Sequence, residues 1–253
     1  MRIKTYKKTD EPAFRVPLVI LGLVILWLGV YALMRLSPAI QAGFLQWLAF
    51  VPANFTAHVI YLPTIVTYSL LHGGWDHVIM NAVWLVAFGS PVATRLASVR
   101  RFLAFYAVCC VCAGLAHFIF HIGDAIPVIG ASGGVSAMMG AAARFALTGG
   151  NWFDLQQNSP KKPLMPLSQT LRCAPVLFFI AIWMGLNLIF GLVGIAPDGQ
   201  SVQIAWQAHA GGFLAGLLLL SWFDTPPLSA SGGPGNRFYG RWIGAKNKDK
   251  SMD

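Results

Sequence analysis

Charge is what this sequence is short of. Only 11% of its 253 residues are charged, where a soluble domain carries about 25%. Acidic residues number nine in all, too few and too scattered for a multi-carboxylate calcium or metal site. Cysteine is also scarce: Cys109, Cys110, Cys112 and Cys173 make no pair of CxxC motifs, which excludes a zinc-ribbon site and a disulfide framework. Three of them sit together in an apolar segment and count as small apolar side chains. No small-residue cleavage pattern follows the first apolar run, so that run is not a signal peptide.

What is present is apolar. Hydrophobic residues make up 56% of the chain and the mean hydropathy is +0.62, a composition that belongs in lipid. The formal net charge of +9 is confined to tails and short loops. That placement speaks for membrane topology and against nucleic-acid binding.

The pattern predicts an all-α, polytopic membrane protein with six spans. Residues 1–15 form a basic N-tail, 16–224 the membrane domain, and 225–253 a basic, Pro/Gly/Ser-rich C-tail without fixed structure at its end. The spans are expected near 16–36, 74–95, 102–122, 132–147, 175–193 and 205–223, each judged against the roughly 20 residues that cross a bilayer. Residues 37–62, broken by Pro38, Pro52 and Pro63 and rich in aromatics, read as a long amphipathic loop half-sunk in the outer leaflet. The fourth span is short, so its start should lie below the outer surface. Six spans put both termini on one side. All lysines and arginines except Arg35 then fall on that side, which makes it the cytoplasm.

Polar groups inside such spans are costly and mark function by default. Three places qualify. Ser132, in Gly130-Ala131-Ser132-Gly133-Gly134, opens the fourth span, with backbone N–H groups still outside the helical ladder. His77 and Asn81 lie one turn apart on one face of the second span. His209 begins the sixth, sharing a face with Gly212 and Gly216, while Ser132, Ser136 and Gly140 make a small-residue face on the fourth. Two such faces pack closely and would bring the Ser132 hydroxyl to the His209 ring. A serine becomes a nucleophile when a base takes its proton, and neutral imidazole suits that task. No carboxylate lies at a depth to orient His209, so the expectation is a dyad. The Ser132 N–H, His77 and Asn81 would hold the oxyanion, at about 3–4 kcal/mol per donor.

Together these motifs resemble the rhomboid intramembrane serine proteases: Gly130-Ala131-Ser132-Gly133 on the fourth span, His72 with His77 and Asn81 on the second, and Ala208-His209 with Gly212 and Gly216 on the sixth. The resemblance covers about residues 16–224. It implies a six-helix bundle with Ser132 as nucleophile, His209 as general base, His77 and Asn81 at the oxyanion, and His72 lining the site. It also implies transmembrane protein substrates within membrane lipid, and no metal or cofactor. With only tails outside the core, the expected home is a bacterial plasma membrane, an organellar membrane being the alternative. Two departures stand out. Members often carry a tyrosine four residues after the serine, stacked on the base; here that position is Ser136, so a hydrogen bond or another aromatic must orient His209. The tryptophan-arginine pair common in the family's first loop is absent.

Plainer readings compete. Ser132 could be a helix cap, His72 an interfacial side chain, His77 with Asn81 a structural pair, and Asn187 in the fifth span structural glue. Asp124, Asp198 and Gln207 read as solvated loop or interface groups, and His58, His117 and His121 have no evident partner; the i, i+4 pair His117 and His121 lacks the third ligand a metal needs. Two rival functions are a rhomboid-like client binder without catalysis, which the intact Ser132 and His209 disfavour, and a small transporter, which the missing inverted repeat and intramembrane carboxylate disfavour.

Overall fold

The computed structural model describes residues 16–147, 163–193 and 205–224. Both tails, the Lys161-Lys162 loop and the loop holding Asp198 therefore lie outside the described residues. The described chain is helical. Six principal helices follow one another in the expected order: α1 Leu18–Met34, α2 Trp75–Leu96, α3 Val99–Phe120, α4 Ser132–Ala143, α5 Ala174–Val193 and α6 Trp206–Phe223. Of the described helices, α2, α3 and α5 are long and apolar enough to cross a membrane by length and composition. At about 1.5 Å per residue, the 12 residues of α4 cover well under the roughly 30 Å hydrocarbon core.

Burial explains the arrangement. Every residue of α4 from Gly133 to Ala143 is buried, so this short helix is the centre on which α2, α3 and α6 pack. The outer helices show the reverse pattern, exposing Ile25 and Leu33 on α1, Ile119 on α3, Phe178 and Ile189 on α5, and Trp222 on α6. So much outward apolar surface is stable in lipid and not in water.

Small residues let α6 reach α4. A methyl group at Gly216 would stand 1.8 Å from the Ala137 carbonyl oxygen, one at Gly212 2.0 Å from that of Gly133, and one at Gly140 2.1 Å from that of Phe213. No side chain fits at these three points. The contact line on α4 thus runs through Gly133, Ala137 and Gly140, not through Ser136 as the sequence pattern suggested.

Two further expectations need correction, and α2 holds a feature the sequence reading did not foresee. The segment 37–62 is not a loop but a set of short helices, Pro38–Leu48 and Pro52–Ala57 with a 3-10 turn Val59–Tyr61. Its prolines begin helices: Ser37 Oγ accepts the Ile40 N–H at 3.2 Å with Pro38 at the first helical position, and Pro52 opens the next. Within α2, Leu85–Gly89 winds as a π turn. Pro91, two residues on, lacks an N–H and crowds the preceding turn, and a wider turn relieves that. Finally, α4 ends at Ala143, short of Leu147. Arg144, at its C-terminal cap, donates to the Met165 carbonyl from Nε (3.0 Å) and Nη2 (2.8 Å) and to the Leu217 carbonyl from Nη1 (3.2 Å). Arg144 and Arg95, read above as topology markers, are both buried, with Arg95 over the Phe145 ring at 4.8 Å.

The helical segment after α1 has a structural task. Phe50 and Val128 exchange backbone hydrogen bonds of 3.1 and 2.8 Å, Ala53 N–H donates to the Asp124 carbonyl at 3.0 Å, and Gly130 N–H donates to the Tyr68 carbonyl at 3.0 Å. These bonds hold the loop that leads into Ser132.

Gly216→Ala and Gly140→Ala should each destabilise the protein by about 1–3 kcal/mol through overpacking. Gly185→Ala should be neutral or stabilising by up to about 1 kcal/mol, because a methyl at Gly185 meets nothing within 4 Å. Thermal unfolding in detergent reads all three; equal midpoints would contradict the close α4–α6 contact.

Candidate active site

The site begins with a turn only glycine makes easily. Gly130 has φ +123°, a region that side chains avoid, and the turn brings Ser132 to the first position of α4. Val135 N–H is the first donor of that helix to be paired, with the Ala131 carbonyl at 2.9 Å. The N–H of Ser132 therefore precedes the helical ladder.

Across the α4–α6 contact, Ser132 Oγ lies 2.6 Å from His209 Nε2. Both side chains are half-buried. The two groups expected to meet do meet, on the two helices expected to touch. Gly133 is pressed by Ala113 and the Tyr68 hydroxyl, at 2.7 and 3.1 Å from where its Cβ would be, so the turn cannot widen there.

A second histidine borders the hydroxyl. A Cβ on Gly130 would stand 2.8 Å from both Cε1 and Nε2 of His77 and 3.6 Å from Ser132 Oγ. The absence of that Cβ leaves a space shared by the His77 ring edge and the serine. His77 Nδ1 accepts the Gly73 N–H at 3.4 Å, so in neutral His77 the hydrogen resides on Nε2, the atom beside Gly130. Asn81 is buried one turn below, where Nδ2 donates to the His77 carbonyl at 3.1 Å; that amide nitrogen carries a second hydrogen. His72 stands behind His77, with ring centroids 5.1 Å apart, and against Trp27 at 5.6 Å. It is 1% exposed, and burial, with His77 adding to it, holds its imidazole well below the ordinary histidine pKa. A neutral His72 backs the His77 ring and carries no charge into the site.

Other expected placements differ. Ser136 turns away from His209 and donates to the Ser132 carbonyl at 2.6 Å. Asp124 and Gln207 are not left to solvent alone: His121 Nδ1 pairs with Asp124 Oδ2 at 2.8 Å and His121 Nε2 with Gln207 Nε2 at 3.1 Å, while the His117 ring stacks on His121 at 4.0 Å. Asn187, taken as structural glue, reaches His209: its Oδ1 meets His209 Nδ1, and its Nδ2 donates to the Trp183 carbonyl at 2.7 Å. Trp183 also approaches the His209 ring, at 6.4 Å between centroids. The signal for Asn187 was present in the sequence, since a carboxamide in mid-span is as costly as the polar groups that were singled out.

A hydroxyl bonded to an imidazole, beside a second ring N–H and a helix N-terminus, can activate an alcohol and stabilise an oxyanion. The sequence model of the Rhomboid domain matches residues 61–224, well over half of the chain. The chain belongs to the rhomboid family. The match runs from the turn before α2 through α6; α1 precedes it. Rhomboid proteins are intramembrane serine proteases that act on transmembrane substrates, so this is an integral membrane protein of the hydrolase class. No curated protein matches the chain.

In this rhomboid protein Gly130 answers to two demands at once, its positive φ and the missing volume beside His77. Gly130→Ala should therefore cost about 1–3 kcal/mol in backbone strain and displace the His77 ring. Thermal unfolding measures the first; a wild-type midpoint would contradict the positive-φ turn.

Proposed function

We propose that the chain is an intramembrane serine endopeptidase working through a Ser132–His209 dyad, with the oxyanion held by the Ser132 N–H, His77 and Asn81. The observation that carries this reading is the 2.6 Å contact between Ser132 Oγ and His209 Nε2. Gly212 and Gly216 support it by letting α6 approach α4, Gly130 by its positive φ and the space it leaves beside His77, Gly133 by fitting against Ala113 and Tyr68, and His72 by backing His77.

The reaction follows from the placement. As Ser132 Oγ attacks the scissile carbonyl carbon, its proton passes to His209 Nε2. The carbonyl oxygen becomes an oxyanion facing the Ser132 N–H and His77 Nε2–H, with the spare Asn81 N–H as a third donor. Collapse breaks the C–N bond, and the imidazolium gives its proton to the departing amine. Water then attacks the acyl ester, His209 again taking and returning the proton, and Ser132 is regenerated.

The substrate is a transmembrane segment of another protein, and it enters sideways past α5. That helix is the outermost, with Phe178, Ile182, Leu186, Ile189 and Leu192 all exposed; Phe179 touches Phe88 of α2 at 5.5 Å between ring centroids. Of two glycines in this helix, Gly185 has open space, whereas a Cβ at Gly191 would meet Trp206. The charge asymmetry of the sequence supports cytoplasmic termini and six spans over residues 16–224.

Purified protein with a transmembrane substrate should lose detectable cleavage on Ser132→Ala or His209→Ala. His77→Ala and Asn81→Ala should each lower kcat by roughly 10²–10³-fold. Cleavage that survives Ser132→Ala would overturn the dyad, and binding of the substrate without any cleavage by the wild type would favour the client-binding reading. Cysteines placed at Phe179 and Phe88 and joined by a thiol cross-linker should stop cleavage of the membrane substrate, with recovery when the link is released; unchanged turnover in the linked protein would exclude entry past α5.

A further inference from the structure

We infer that Asn187 of α5 is the positioning residue of the base, fixing which nitrogen of His209 carries the proton; this rests on the Ser132–His209 reading. The argument uses only donors and acceptors. The Trp183 carbonyl can only accept, so the Asn187 group 2.7 Å from it is the NH2 end of the carboxamide. That turns Oδ1 toward His209 Nδ1. An amide oxygen can only accept, so Nδ1 supplies the hydrogen. Neutral imidazole holds one N–H, and Nε2 is left with its lone pair aimed at Ser132 Oγ, 2.6 Å away. This is the tautomer a general base needs. The opposite one would set two hydrogens, from Nε2 and the hydroxyl, against each other.

The orienter is neutral, and it takes a place that the sequence leaves vacant. Ser136 stands where an aromatic ring would steady the base, and it is bonded to the Ser132 carbonyl instead. Trp183 and Asn187, one turn apart on α5, take over: the indole lies beside the His209 ring and stacks on Phe213 at 5.2 Å, while the carboxamide fixes the proton. Because a carboxamide bears no charge, it sets geometry without adding a carboxylate to the membrane interior, where one is expensive. It also places the orienting contact on the peripheral helix. The base is held in its working tautomer when α5 is seated against α6, and released from it when α5 swings out.

The test compares Asn187→Leu, which keeps the volume but has no acceptor, with Asn187→Asp, which keeps the acceptor. Cleavage of a transmembrane substrate gives kcat and KM separately, and ¹⁵N NMR of histidine-labelled protein, with His209→Gln for assignment, reads the tautomer. The expected results are an Nδ1–H tautomer for His209 in the wild type, and a kcat lowered about 10- to 100-fold at unchanged KM for Asn187→Leu. That is the scale on which losing a histidine's outer partner acts at metal sites. Asn187→Asp should recover most of the rate. Wild-type kcat and tautomer in Asn187→Leu, with Ser132→Ala inactive, would overturn the role of Asn187 and leave the dyad standing. Cleavage by Ser132→Ala would instead defeat the dyad itself. If Asn187→Leu does not fold, the wild-type spectrum decides: an Nε2–H tautomer overturns the inference.

Discussion

The structure depends on one contact, the backbone-to-backbone approach of α4 and α6. Carbonyl oxygens of Gly133 and Ala137 sit where side-chain carbons of Gly212 and Gly216 would otherwise be. In lipid, helices gain little from hydrophobic exclusion, and close van der Waals packing of small residues takes its place. The same closeness sets the chemistry. Ser132 opens one helix of the pair and His209 lies in the first turn of the other, so the approach of the backbones fixes the distance between hydroxyl and imidazole. Packing and reactivity are here consequences of a single choice of residue size.

Around that contact, the outer parts act as supports. The segment between α1 and α2 pins the loop into Ser132 through Phe50, Ala53 and Tyr68. Arg144 ties the far end of α4 to residue 165 and to α6. Gly130 combines a positive φ with free space between His77 and Ser132. Among the described helices α5 is lightly held, and it is this helix that carries Trp183 and Asn187 to the His209 ring. A rigid centre with one loosely packed wall suits a site that must hold its reacting groups fixed and still admit a helix from the bilayer.

Much of this was legible in the sequence because lipid simplifies the rules. Long apolar runs gave the order and bounds of the six principal helices to within a few residues, and the cost of polar groups within apolar spans singled out Ser132, His77, Asn81 and His209. What escaped was local or paired. Proline has opposite meanings inside a helix and at its first turn, so Pro38 and Pro52 were read as breaks when they start helices, and Pro91, which forces the π turn, drew no notice. The expected seam on α4 was right at Gly140 but put Ser136 where Gly133 and Ala137 make the contact. Asn187 was seen and set aside, since a lone carboxamide does not reveal its partner; the pairing with His209 exists only once α5 and α6 are side by side. Arg144 looked like a topology charge because burial cannot be read from charge alone.

The central claim is that the hydroxyl of Ser132 is activated by the imidazole of His209 across two helices. Mass-spectrometric mapping of a fluorophosphonate adduct tests it most directly. The account predicts a single modified residue, Ser132, and loss of the adduct in His209→Ala under the same conditions. An adduct on another residue, or one formed on Ser132 at the same rate without His209, would contradict it.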